Sequence, residues 1–323
     1  MNSIDSIKAP ITSEFYIFEG VFNSAFSEEE ALIKKVLEHV KEQKGKQVRP
    51  IFTILCAKLC GTPTNDTFNI AAGYEVLHTA TLIHDDVVDN TLMRRNKPSV
   101  NALFDNKTAV LVGDYLLTKS MEFIYRANNH TINKQYAKLG SMLARGELLQ
   151  LQYAFSIPTE EDYIDIIRKK TAVLFSVCAL SGGISVGATE EQLNALQNFA
   201  ECVGICFQIK DDIFDYTPNA EIGKPTLNDI REGKITLPLL HAIQQLSQNE
   251  AAELLNKIKE CHFTENFFYN IGSLVARNKG IEYSIEKMNY YRKKAIEALE
   301  IFDNSDCKEA LIGMLDYVIN RNK

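Results

Sequence analysis

The chain has 323 residues, a formal charge of −7, and a composition that is 46% hydrophobic and 24% charged. These values describe a globular protein with a sizeable core and exclude a disordered or fibrous chain. The 16 Gly and 8 Pro are too few for a turn-dense all-β fold, the acidic balance without a basic block argues against nucleic acid as a partner, and no apolar run reaches the length of a membrane span.

In chain order, the hydrophobic period is helical almost throughout. Residues Ser27 to His39 open on Ser-Glu-Glu-Glu, the pattern of an N-cap with an acidic first turn. Asn69 to Asp89 is apolar nearly all round, so this helix is expected at the centre. Further helices are expected near 108–127, 133–153, 160–180, 190–216, 234–246, 250–259, 282–302 and 307–321. Turn residues fall at Gly61–Pro63, Asn96–Pro98, Ser181–Gly183 and Pro218–Pro225. With no Ser/Gly linker and no fixed-period repeat, the expectation is one all-α domain over 1–323. Seven cysteines and no export signal in Met1 to Pro10 point to free thiols in a cytoplasmic protein. Cys56 with Cys60 and Cys202 with Cys206 share helix faces, but lack the further soft ligands a metal site needs, and read as structural thiols.

Asp85, Asp86 and Asp89 form an Asp-Asp-x-x-Asp cluster, and Asp211, Asp212 and Asp215 repeat it. Residues four apart lie about 6 Å apart along one helix face, so each cluster aims two carboxylates at one point. A solvated acidic helix end accounts for one copy; two copies, each after an apolar helix, are better explained by a shared cation. Hard oxygen ligands with room for water suit Mg²⁺, which keeps part of its shell for substrate phosphates.

Cations recur around these clusters: Lys46 and Arg49 behind Gly45, Arg94 and Arg95 after the first cluster, Arg168-Lys169-Lys170 before Thr171, and Lys224 and Lys234 after the second. Together they provide what a metal–diphosphate complex requires, although Lys169 reads as solvated. His78 is balanced between a phosphate donor and a core imidazole, and His84 reads as structural.

These residues, with Gly45-Lys46-Gln47-Val48-Arg49-Pro50, His84-Asp85-Asp86-Val87-Val88-Asp89, Gly113-Asp114-Tyr115, Lys170-Thr171, Phe207-Gln208-Ile209-Lys210-Asp211-Asp212-Ile213-Phe214-Asp215 and Gly223-Lys224-Pro225 through Pro238, strongly resemble the trans-isoprenyl diphosphate synthases, the polyprenyl synthetase family. The resemblance runs from about Lys46 to Leu239. It implies an isoprenoid synthase-type all-α bundle around a central cavity, usually homodimeric. It also implies Mg²⁺-dependent head-to-tail condensation of isopentenyl diphosphate with an allylic diphosphate.

Carried over residue by residue, the resemblance gives Asp85, Asp89 and Asp211 to three Mg²⁺ ions, with Asp86, Asp212 and Asp215 in support. It gives Arg94, Lys170, Lys224 and Lys234 to the allylic diphosphate, and Lys46, Arg49, His78 and Arg95 to isopentenyl diphosphate. Thr171 and Gln208 line the reacting centre, with Gln150 near it. Asn96 and Leu227 stand where the family commonly has Gly, which puts the loop conformations in question. The growing chain is expected to run back along the central helix past Thr81, Ala80, Leu77 and Tyr74. Small residues at Ala80 and Thr81 point to a product longer than farnesyl, in the geranylgeranyl to octaprenyl range. The floor is expected either from the next helix, through Met121 or Phe123, or sooner, from Tyr74. A class I terpene cyclase would carry a different second motif, and a non-catalytic partner subunit could dispense with one cluster. A cytoplasmic enzyme, loosely associated with membrane to release its product, completes the expectation.

Overall fold

The structure is a computed structural model describing residues 3–216, 227–261 and 263–321. Its main helices are α1 (Thr12–Ser24), α2 (Ala31–Glu42), α3 (Val48–Cys60), α4 (Asn65–Val88), α5 (Asn106–Arg126), α6 (His130–Tyr153), α7 (Glu160–Ile167), α8 (Val173–Ser185), α9 (Glu190–Asp215), α10 (Leu237–Gln244), α11 (Gln248–Lys259), α12 (Glu265–Arg277), α13 (Gly280–Ala298) and α14 (Asp306–Asn320). Among the described residues, β structure is limited to Met93–Arg94 paired antiparallel with Lys97–Pro98.

Apolar side chains all round α4 require cover on every side. Residues from Phe68 to Ala80 on it are buried against α1, α3, α5 and α8. A capping box between Thr64 and Thr67 starts the helix. The buried apolar residues of the bundle form one continuous core. The four cysteines on shared faces are free: Cys56 and Cys206 are buried, Cys60 and Cys202 half-buried. Burial pushes the Cys60 and Cys202 thiols up to about 11, so they are inert at neutral pH.

Three helices, α1, α3 and α12, were not among those expected from periodicity. Helix α3 is buried nearly all round over Pro50–Ala57, which erases the alternation that periodicity detects. The helix expected from Ser27 begins at Ala31 instead, with Glu30 as its N-cap. Glu28 is drawn away from a first turn by the Tyr115 hydroxyl and by Lys119, 3.3 Å away.

The helix expected over 160–180 is interrupted by a wide π-type turn at Arg168–Ala172. Such turns rotate the side chains that follow, and they concentrate at functional sites. Here the turn carries Lys170 and Thr171. Gly146 on α6 makes room for it, since a Cβ there would lie 2.9 Å from the Lys170 amide nitrogen.

Candidate active site

The last turn of α4 carries the first acidic cluster. Asp85 and Asp89 have no side-chain hydrogen bond among the described residues. Burial, with Glu147 close by, pushes the Asp85 carboxyl up to about 6, and burial raises Asp89. Asp86 behaves differently. It is 2% exposed and held by Arg94, whose Nε donates to both carboxylate oxygens at 2.9 Å and whose Nη2 donates to Oδ1 at 2.6 Å. Beside the cluster, the His84 imidazole packs on Gly113, where a Cβ would strike it, and lies 3.5 Å from Asp114. Its place is structural.

The hairpin after the cluster turns through Arg95 and Asn96, both left-handed at φ of 53° and 62°. Two consecutive positive φ values make the tight turn that glycine serves elsewhere, and Asn tolerates it. Leu227 is also left-handed, at φ 66°. Its backbone nitrogen donates to the Asp215 carbonyl at 2.9 Å, and its side chain is buried.

The second cluster ends α9, and its three acids have three different partners. Asp211 accepts from Arg321 Nη2 at 2.7 Å. Asp212 is buried and accepts from the Tyr163 hydroxyl at 2.6 Å and the Gln208 amide at 2.8 Å. Burial, reinforced by Asp211 and Asp215, pushes Asp212 strongly up despite those donors. Asp215 caps the turn 228–231, accepting from the backbone nitrogens of Asn228 and Asp229 at 2.9 and 3.1 Å. It thereby anchors the chain that leads to Lys234.

The π turn connects the clusters. Lys170 pairs with Glu147 at 2.7 Å, reaches Gln150 at 3.3 Å, and draws the Asp85 and Asp89 carboxyls down. The neighbouring Thr171 donates to Gln208 at 2.7 Å, and Gln208 donates to Asp212. Lys234, from the other side, pairs with Glu232 and interacts with both Asp229 and Asp89. Lys169 turns outward to Asp165. Lys224 lies outside the described residues.

A small cavity beneath these groups is lined by Gly45, Glu75, His78, Arg94 and Arg95. Burial, with Arg49, Arg95 and Arg94 nearby, keeps His78 neutral well below its usual range. Arg95 donates to the Gln43 carbonyl. Arg49 lies 5.2 Å over the Phe175 ring, and Lys46 5.2 Å over Tyr317. Among the described residues, Glu75 Oε2, Arg49 Nε and Gln47 Nε2 are buried without a hydrogen-bond partner. Orphaned polar atoms beside a basic cavity mark a place where a polar ligand completes the bonding.

Among the described residues, no three His, Cys, Asp or Glu side chains converge into a closed metal cage. Two adjacent carboxylates with raised pKa and no protein donor still fit a hard divalent ion that takes its remaining ligands from phosphate and water. Glu75, Glu147, Tyr163, Asp229 and Arg321 join the site without having been expected. For Glu147 a signal existed, since it lies three residues before Gln150 on α6. Arg321 stands 110 residues from its partner and had none.

Farther back along α4, Ala80, Leu77 and Tyr74 are buried. The Tyr74 hydroxyl is 2.8 Å from Ser181 Oγ on α8, and Ser181 donates onward to Gln135 at 3.2 Å. Phe123 is buried, whereas Met121 is 38% exposed.

The polyprenyl synthetase family model matches residues 30–267. The chain is 36% identical over 318 residues to an all-trans-nonaprenyl-diphosphate synthase (geranyl-diphosphate specific) of Rhodobacter capsulatus, covering 98% of this chain and 97% of the relative. It superposes with a TM-score of 0.92 and 31% identity on a polyprenyl synthase of Caulobacter crescentus CB15 complexed with calcium and isoprenyl diphosphate, covering 99% and 98% of the two chains. With a TM-score of 0.85 and 40% identity it superposes on a geranylgeranyl pyrophosphate synthase of Bacteroides thetaiotaomicron, covering 99% and 100%.

Proposed function

Because the chain belongs to the polyprenyl synthetase family, and is a transferase that lengthens an allylic diphosphate by head-to-tail addition of isopentenyl diphosphate, we propose how its two acidic clusters and their cations divide the work. Asp85, Asp89 and Asp211 hold divalent ions, three Mg²⁺ in the full complex. Ions held by these carboxylates would supply charge neutralisation to the departing diphosphate, easing cleavage of the allylic carbon–oxygen bond. Lys170 and Lys234, with Lys224, meet the same diphosphate. Arg94 keeps Nη1 for it while its other nitrogens hold Asp86.

Lys46, Arg49, Arg95 and neutral His78 bind the isopentenyl diphosphate. His78 can donate there without adding charge. Thr171 donates its hydroxyl hydrogen bond to Gln208, which leaves the lone pairs of its own oxygen as an acceptor dipole of the sign that steadies an allylic cation. The apolar walls of α4 and α8 keep water from that cation. The released diphosphate takes the proton lost when the new double bond forms.

The observation that carries this reading is the π turn at Arg168–Ala172. It delivers Lys170 to the first acidic cluster and Thr171, through Gln208, to the second.

Product length is set along α4. Ala80 and Thr81 leave the first turn behind Asp85 open, and Tyr74, about 16 Å back, closes the channel with its hydroxyl tied to Ser181. Products therefore exceed farnesyl, in keeping with the nonaprenyl and geranylgeranyl synthases it resembles. Large apolar side chains left exposed on α5 and α6, among them Leu111, Tyr125, Leu148 and Leu151, suit a homodimer that covers them. No helix among the described residues is long and apolar enough to cross a membrane.

The test is incubation of the purified chain with labelled isopentenyl diphosphate, an allylic starter and Mg²⁺, with mass spectrometry of the products. Chain-lengthened diphosphates are expected, shorter from Ala80→Phe and longer from Tyr74→Ala. A hydrocarbon released from the allylic diphosphate alone would instead mark a cyclase.

A further inference from the structure

Phe207, Asp211 and Phe214 occupy positions i, i+4 and i+7 of α9, one stripe of the helix. That stripe presents a carboxylate between two aromatic rings, a cradle for a cation. Arg321, just beyond α14, lies in it. Its guanidinium sits 4.0 Å from the Phe207 ring centre and 5.5 Å from that of Phe214. Nη2 donates to Asp211 Oδ1 at 2.7 Å and to the Phe207 carbonyl at 3.1 Å. The Arg321 side chain is only 12% exposed, against 39% for Asp211. A guanidinium so enclosed makes a more persistent contact than a solvated surface pair, while its carboxylate partner stays partly open to a competing ion.

We infer that Arg321 is a displaceable counter-ion for Asp211 that a divalent ion has to drive off the carboxylate, so that Arg321 sets how much metal the second cluster requires. The inference rests on the reading of Asp211 as a metal ligand. A dication and a guanidinium compete for the same carboxylate and repel each other when both stay near it. Arg321 also offsets the charge of a carboxylate that stands beside two others. One turn earlier on α14, Tyr317 underlies Lys46. The end of α14 thus borders both the second acidic cluster and Lys46, through Arg321 and Tyr317 respectively.

The test measures Mn²⁺ binding to the full chain in the presence of inorganic diphosphate, from the paramagnetic resonance signal of the free ion. Arg321→Gln is expected to bind one ion about fivefold more tightly than the native chain, the scale of a partly exposed ion pair with an aromatic contribution. Arg321→Lys, which keeps the charge, should bind as the native chain does. In an Asp211→Asn background, Arg321→Gln should make no further difference. Arg321→Met, which keeps the stem against the two rings, serves should the Gln variant not fold. Affinity that is unchanged or weakened in the Gln or Met variant, while Asp211→Asn has lost an ion, overturns the inference and leaves the ligand reading standing. Full binding retained by Asp211→Asn overturns the ligand reading itself.

Discussion

The two acidic clusters share one spacing and differ in almost everything around it. In the first, the middle residue Asp86 is buried as one half of an ion pair with Arg94. In the second, the middle residue Asp212 is buried against a tyrosine hydroxyl and an amide, both neutral, and its carboxyl is pushed up. The outer residues diverge as well. Asp85 and Asp89 accept no side-chain hydrogen bond among the described residues, while Asp211 holds Arg321 and Asp215 caps a turn. A motif repeated in sequence thus becomes two different electrostatic devices, and the difference lies in which elements pack behind each.

The largest expected effect tests what the clusters have in common. Asp85→Asn and Asp211→Asn should each lower turnover by at least about a hundredfold, the scale on which removing one charge-stabilising group acts. Steady-state rates at saturating substrates and Mg²⁺ check this. A variant that keeps native turnover would remove its cluster from the chemistry.

The next effect separates the middle residues. Arg94→Met leaves the Asp86 charge buried without its partner and should cost about 3 kcal/mol or more of stability. Tyr163→Phe removes one neutral donor from Asp212 and should cost only about 1–2 kcal/mol. Urea unfolding of both variants in chelator compares them directly, and equal losses would mean that Asp86 and Asp212 are held alike.

A pH series sharpens the same contrast. The folded-state pKa of Asp212 is raised, so between the unfolded value of about 3.9 and the folded value the native state binds the extra proton. Stability of the metal-free protein should therefore fall through this group as pH rises across that window. Asp212→Asn should flatten that part of the slope, as thermal melts at several pH values would reveal.

The smallest effect concerns the turn beyond the first cluster. Asn96→Gly should shift stability by less than about 0.5 kcal/mol, because Asn already tolerates the left-handed backbone there. A gain well above this in the same unfolding assay would show that the native turn is strained.

How much of this was legible beforehand differs from residue to residue. The central helix was visible because α4 is apolar on every face, and both clusters because residues four apart share a face wherever a helix forms. Helix α3 was not, since complete burial left no alternation to detect. The start expected at Ser27 failed because Glu28 is engaged by Tyr115 and Lys119, 87 and 91 positions away, a contact no local pattern encodes. The π turn at 168–172 was equally hidden, since it depends on the close approach of Gly146 from α6.

By itself, then, the sequence determined an all-α chain with two carboxylate clusters and a set of cations suited to diphosphate. Short-range geometry is enough for that, because a helix places residues i and i+4 together whatever surrounds it. Only tertiary packing sets which carboxylate is held by a neighbouring arginine, which by a tyrosine, and which meets an arginine 110 residues away. Those outcomes depend on burial and on partners from distant segments, and a carboxyl group has no fixed proton affinity until the fold supplies its surroundings.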